Sequence, residues 1–447
     1  MKRFLQTIKN IWSIEDLRSR ILTTLGLILI YRVGSYVVLP GVDSDALAAA
    51  NAGSGGGITD LINLFAGGAF SRASIFALGI MPYISASIVI QLLGMAIPYF
   101  QKLQKEGESG RRKINQITRY LTIAITAMQA PGYIATQVPN EAIYNVGFWS
   151  FTFPAVIILV TGTMFVMWLG ERITEKGIGN GISLLIMIGI IANLPFAFTA
   201  EFASRLSNGG MVVFLIEMVA LILVVIACIM LVQGTRKIPV HFAKRIVGKG
   251  SKMMQQGGVR QYIPLKVNAA GVMPIIFAQA IMFVPITLAG FSDSMSGIAA
   301  AFADFTGFWY NFTFALLCIA FTYFYTAVTV NPNQIADDLK RNGGFIPGVK
   351  PGKRTSEFID NVMSRITLPG SIFLAFVAIL PAFAGILEVN SQFAQFFGGT
   401  SLLIMVGVVL DTLQQIESHL LMREYDGLMK SGRIKGRSST GGVGMAG

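Results

Sequence analysis

GGAFSRASIFALGIMPYISASIVIQLL, Gly67 to Leu93, is apolar over most of its length, yet it holds more small, polar and helix-breaking residues than a plain lipid-facing span tolerates. No charged residue occurs from Ser74 to Leu93, and about 20 residues rising 1.5 Å each cross a hydrocarbon core of about 30 Å. The stretch therefore reads as a membrane-spanning helix. Pro82, Ser85, Ser87 and Gln91 would each cost free energy against lipid, where a freed carbonyl or an amide finds no water. They are expected to face protein or water. Just upstream, Ile58 to Phe65 (ITDLINLF) has helical apolar spacing, but as a helix it is only about 12 Å long and cannot cross. Gly67 and Gly68 hinge it to the span. A half-length helix hinged by glycines onto a polar-flecked span is a layout of transport sites.

Working outward, the chain has 447 residues, 53% of them hydrophobic and 13% charged, with a mean hydropathy of +0.63. Soluble domains carry roughly twice that charge fraction. Ten apolar runs approach span length: Ile21–Leu39, Ser74–Pro98, Tyr120–Val138, Phe153–Leu169, Ile182–Phe198, Met211–Val232, Ala269–Phe291, Phe308–Val330, Leu368–Leu387 and Thr400–Leu413. This is an all-α membrane protein of ten transmembrane helices. An even number puts both termini on one side. Placing them in the cytoplasm leaves only Arg32, Arg72 and Arg205, of 35 Lys and Arg, at or beyond the outer face. The formal charge of +12 is then a one-sided cytoplasmic field.

Cys228 and Cys318 lie inside apolar runs, and His241 and His419 are far apart. No disulfide framework or metal-ligand cluster is on offer, and both cysteines read as small core residues. The glycines of ERITEKGIGNGI (Glu171 onward) fall where the fifth span begins, which close helix contact or backbone beside a cavity would explain. Neither they nor GKGSKM (Gly248 to Met253) completes a phosphate-binding loop. The chain is read as no enzyme, without catalytic residues, cofactor or metal. Glu217 and Asp411 are the acids well inside apolar runs; each lies near a span end, within reach of interface water, and reads as structural.

Met1 to Arg20 places Phe4, Leu5, Ile8, Ile11 and Trp12 on one face of a helix lying at the cytoplasmic interface. Its polar lead is too long for a signal peptide. Gln101 to Arg112 reads as a short charged loop. Two long loops follow: Gly234 to Lys266 has eight basic residues and no acid, and Asn331 to Arg365 carries Lys340-Arg341 and a turn-rich GGFIPGVKPGKR. Loops of this length tend to be functional, and these suit docking of an acidic or RNA-bearing cytoplasmic partner beyond topology alone.

Gly67 to Leu93 closely resembles the second span of the SecY family, channel subunits of the general protein translocon. KEGESGRRKI (Lys105–Ile114), ERITEKGIGNGIS (Glu171–Ser183), PLKVNAAGVMP (Pro264–Pro274), NPNQIADDLKRNGGFIPGVKPGKRT (Asn331–Thr355) and GGTSLLI (Gly398–Ile404) extend the resemblance, in order, over nearly the whole chain. It implies a SecY-like clamshell of two pseudo-symmetric five-helix halves, 21–200 and 201–416, hinged between spans five and six around an hourglass pore. The cytoplasmic helix 1–20, the loops 234–266 and 331–366 and the tail 417–447 complete the layout.

Unfolded secretory proteins would cross the pore, and apolar segments would leave sideways into lipid. By motif, the constricting ring falls on Ile80, Ile84, Ile182, Ile186, Ile276 and Ile404. The plug falls on 58–65, with Ile58, Asp60, Leu61, Ile62, Leu64 and Phe65, and the lateral gate between spans two and seven on Ser85, Ile88, Gln91, Gln279 and Phe283. The basic loops resemble those that receive the ribosome or the motor ATPase SecA, through Arg236, Lys237, Lys244, Arg245, Lys340, Arg341, Lys350, Lys353 and Arg354. Where the family frequently has Arg before Pro-Gly, this chain has Lys350, a point charge in place of a planar fork. The family also implies SecE, which clasps the halves, SecG, signal peptides and preproteins as partners, and a bacterial inner membrane. A secondary transporter for a small solute shares the spans and broken helix, but scarce intramembrane charge and large basic loops weigh against it.

Overall fold

The computed structural model describes Trp12 and residues 14–51, 63, 66–144, 147–207, 210–242, 245–247, 254–256, 260–289, 307–387 and 389–430. A helix falls in each of the ten apolar runs: Glu15–Gly34, Met81–Ala96, Glu108–Gln137, Phe153–Lys176, Gly181–Ser207, Met211–Gln233, Met273–Ala289, Phe308–Thr329, Lys353–Ile386 and Gly399–Lys430. These are spans one to ten below. Among the described residues, spans four, five, six, eight, nine and ten are long and apolar enough to cross a membrane alone. Span two passes the same test only jointly with the helix Pro98–Lys105, from which it bends by 102°, as a broken span or a re-entrant loop does. Spans one and three have charged ends, and span seven is described over only 17 residues.

Span six shows the lipid environment in its pattern. Val212, Leu215, Ile216, Val219, Leu223, Ile226 and Met230 are exposed along one helical stripe, whereas Phe214, Glu217 and Cys228 are buried on the other. Such a stripe suits hydrocarbon and no other solvent. Inside the bundle, Thr118, Thr122 and Thr126 of span three donate to the carbonyls four residues back at 2.7 to 2.9 Å. Their hydroxyls are thus satisfied where no water reaches.

Three buried apolar clusters organise the spans. One gathers residues from Leu39 to Leu159, a second gathers Cys228, Ile275, Phe314, Cys318, Leu374 and Leu402 from spans six to ten, and a third lies between them and draws on both. Both cysteines are free and fully buried, as core residues.

The opening stretch departs from the expected continuous helix. Residues 66–80 are a succession of turns, and the helix begins only at Met81, with Pro82 in its first turn. Gly67 and Gly68 take positive φ (+64° and +82°), a conformation that L side chains resist, and Pro82 fits a helix start because its missing N–H has no partner there anyway. Irregular backbone at membrane depth survives only when buried in protein. Here Leu39 N–H donates to Ala73 O at 2.9 Å, Ile75 N–H to Val37 O at 2.9 Å, and Tyr133 Oη to Phe70 O at 2.6 Å. Phe76 stacks between Tyr31 and Phe165. The segment is walled by spans one, three and four.

Four further expectations are revised. Glu15–Arg20 belongs to span one rather than to a separate interfacial helix, and Met1 to Ile11 lies outside the described residues. Gln101–Arg112 is a helix, a turn at Glu106-Gly107 and the start of span three, because Gly107 supplies the positive φ that reverses the chain. The loop 331–365 is mostly helical, Pro332–Arg341 and then span nine from Lys353. Glu217 does not reach interface water: it is buried, and Arg205 donates to it and to buried Glu201, both at 2.7 Å. Glu201 also accepts from Asn390 N–H at 2.8 Å, so the cluster ties the ends of spans five and six to the chain after span nine.

Removing one partner of such a cluster strands buried charge. Arg205→Ala should cost about 3 kcal/mol, the scale of a broken buried pair, and lower the melting temperature of the detergent-purified protein by several degrees, on the order of 5 °C. Arg205→Lys should recover little, since one ammonium replaces a fork serving two carboxylates. A wild-type melting curve for Arg205→Ala would show the cluster to be dispensable.

Candidate functional site

The cluster between the two half-cores is built of apolar side chains from several spans. From span two and the turns before it come Ile80 and Ile84, from span five Ile182 and Ile186, from span seven Ile276, and from span ten Ile404. Ile80, Ile186 and Ile404 are buried; Ile84, Ile182 and Ile276 are partly buried and pack on the same cluster. All six residues matched by motif to a constricting ring thus belong to one packed cluster, although they are separated by up to several hundred positions in sequence. Such a contact of branched side chains excludes water and offers ions no hydrogen bond. It also holds no directional bond that must break before the side chains part.

Sequence reasoning missed the layer on its outer side. Ser391–Ala394 is a short helix after span nine, and Phe393, Phe396 and Phe397 are buried in the cluster with Ile190, one turn beyond Ile186. The only signal was FAQFF, an apolar patch too short for a span.

The glycine-rich start of span five makes close helix contact, one of the two explanations its sequence offered. A side chain at Gly181 would collide with the Gly170 carbonyl, so spans four and five touch backbone to backbone. Gly181 N–H donates to Thr174 Oγ1 at 2.9 Å, Ile178 N–H to Thr24 Oγ1 at 3.1 Å, and Gly179 N–H to Gln415 Oε1 at 2.9 Å. The loop is pinned to spans one, four and ten.

Of the residues matched to a lateral gate, Ile88 and Gln279 are buried, and Ser85 and Gln91 half-buried. Ser85 Oγ donates to Met81 O at 3.2 Å. Phe283 belongs to span seven, though its side chain lies outside the described residues. Span two packs on spans three and four, and span seven on spans eight and ten, without extensive backbone packing between two and seven among the described residues. The plug residues Ile58, Asp60, Leu61, Ile62, Leu64 and Phe65 lie outside the described residues.

On the opposite side the two basic loops form one folded unit, not two loops. β1 (Thr235–Phe242) lies centrally, paired antiparallel with β4 (Arg260–Lys266) and with β5 (Gly344–Phe345), while β2 (Arg245–Val247) pairs with β3 (Met254–Gln256). Ile238, Val240, Leu265, Leu339, Ile346, Ile359 and Met363 make its core. Arg236 and Lys237 on β1, Lys340 and Arg341 in the last turn of Pro332–Arg341, Lys350 in the turn, and Lys353 and Arg354 at the start of span nine are all exposed. Lys244 and the side chain of Arg245 lie outside the described residues.

Comparison with known proteins converges on this architecture. The family model described as SecY matches residues 74–413. The protein translocase subunit SecY of Mycobacterium bovis is 41% identical over 452 residues, covering 96% of this chain and 100% of that one. The fold resembles that in "The structure of a protein conducting channel", with a TM-score of 0.62 at 17% identity and 95% of each chain covered. It also resembles Sec61 in a canine ribosome-channel complex, with a TM-score of 0.58 at 16% identity and the same coverage. With its spans, its central apolar cluster and its identity to a curated translocase subunit over nearly the full length, this chain belongs to the SecY family of protein-conducting channel subunits.

Proposed function

We propose that the six-isoleucine cluster is the closed pore of this channel, and that an unfolded preprotein passes where the two half-cores meet. The convergence of Ile80, Ile84, Ile182, Ile186, Ile276 and Ile404 from four separate spans carries this reading. The halves are 21–200 and 201–416, with both termini in the cytoplasm, where all but three of the basic residues then lie. Residues 58–65 plug the outer funnel. Spans two and seven part to release apolar segments into lipid, and their sparse mutual packing supports that seam. The exposed basic residues of the folded cytoplasmic unit receive SecA or the ribosome, and the canine relative with a ribosome supports the second of these. SecE clasps the halves, with SecG as a third subunit.

The test is uptake by vesicles. Vesicles holding this chain with SecE and SecG should import several unrelated unfolded preproteins, given SecA and ATP. Transport of a single solute with no preprotein import would favour a secondary transporter instead.

A further inference from the structure

We propose that Arg32 and Arg72 form an oxyanion site on the outer side of the apolar cluster, taking the carboxylates of acidic side chains in a polypeptide that leaves the pore. The inference rests on the channel reading above. Arg32 ends span one, and Arg72 lies in the turns before span two. Both donate to one carbonyl, Gly67 O, Arg32 Nη1 at 3.2 Å and Arg72 Nη2 at 3.0 Å. Both also stand over the ring of Tyr36, with Cζ to centroid distances of 5.6 and 4.3 Å. Two guanidinium groups are thus held side by side.

Neither has a carboxylate within salt-bridge distance among the described residues. Arg205, the other basic residue of this face, has two. Arg72 Nε is buried with no hydrogen-bond partner, and a buried donor left unmade is costly. Like charges at this separation repel, and the repulsion is relieved by an anion that both can fork.

Space for one exists. Arg32, Tyr36 and Arg72 line a cavity of about 240 Å³ together with Asn193 of span five and Gln392 and Gln395 after span nine. Its walls come from both sides of the central cluster, with Phe396 and Ala197 buried beside it. Its lining comes from spans one and five and from the segment after span nine, so in the channel reading it borders the junction of the two halves where a chain passes, which favours a passing chain over a phospholipid headgroup.

The test uses two preproteins identical except for a short run of glutamates or of glutamines, imported by vesicles of the full complex. In wild type the glutamate run should clear the channel more slowly, roughly fivefold. A cysteine within it should cross-link to Asn193→Cys more than one in the glutamine run does. Arg32→Gln with Arg72→Gln should abolish both differences, and Arg72→Lys should keep the cross-link. Raising the ionic strength should shrink the delay in wild type, which decides the matter should the double variant import nothing. Equal transit of both runs, a delay that survives the double variant or is insensitive to salt, or one that follows the anionic lipid fraction instead of substrate charge would each overturn the site. Failure to import even the glutamine preprotein would instead count against the channel reading.

Discussion

Arg341→Glu is expected to abolish SecA-dependent import into vesicles while membrane insertion, topology and SecE association stay normal. Positive-inside topology depends on summed Lys and Arg near span ends, so reversing one of many changes little. Docking depends on position. Arg341 is exposed in the last turn of Pro332–Arg341, and no carboxylate lies within salt-bridge distance of it among the described residues. Its charge is therefore available to a partner. An acid there meets the carbonyl end of the helix at a local cost of only about 0.3–1 kcal/mol. A lost charge-assisted contact replaced by repulsion costs several kcal/mol, on the order of a hundredfold or more in affinity.

Lys350→Glu should do the same less severely. Lys350 holds the turn through its backbone, whose carbonyl accepts from Thr355 Oγ1 at 3.0 Å, so its side chain can vary without disturbing the fold. Lys350→Arg should be tolerated. Normal SecA-driven import by Arg341→Glu would leave this unit a topology signal only.

Much of the architecture was legible because hydrophobic length is a one-dimensional property. Each of the ten runs holds a helix, and the glycines at 177–181 announced the close contact of spans four and five. Backbone shape within an apolar run was less legible. Residues 66–80 are apolar enough for a helix, and only Gly67, Gly68, Gly79 and Pro82 signalled turns. The β-hairpin was missed although Ile238 and Val240 alternate with exposed residues, because Pro239 and Pro264 argue against paired strands when partners are unknown. The burial of Glu217 was hidden because its partner, Arg205, lies across a helix break and resembles a surface charge in sequence. The gathering of the six isoleucines in one cluster was legible only through motif, since a buried isoleucine and one that faces lipid are the same residue until packing separates them.

Ile404→Asn should have the second large effect, on the closed state itself. Ile404 is 4% exposed and touches the cluster from span ten. Asparagine removes that apolar burial and leaves an amide with no partner among branched hydrocarbons, a cost of about 2–5 kcal/mol. In the parted state water reaches the position and most of that cost disappears. A differential of about 2 kcal/mol multiplies the open population roughly 30-fold. Ile84→Asn should act in the same direction but more weakly, because Ile84 is only partly buried. Preproteins with defective signals should then pass more easily. The most direct measurement is ion conductance of the purified complex in planar bilayers without SecA or substrate. Wild type should stay closed, and Ile404→Asn should show frequent openings, with the protein folded and inserted as before. A silent, correctly inserted Ile404→Asn channel that also rejects defective signals would contradict the assignment of this cluster as the pore.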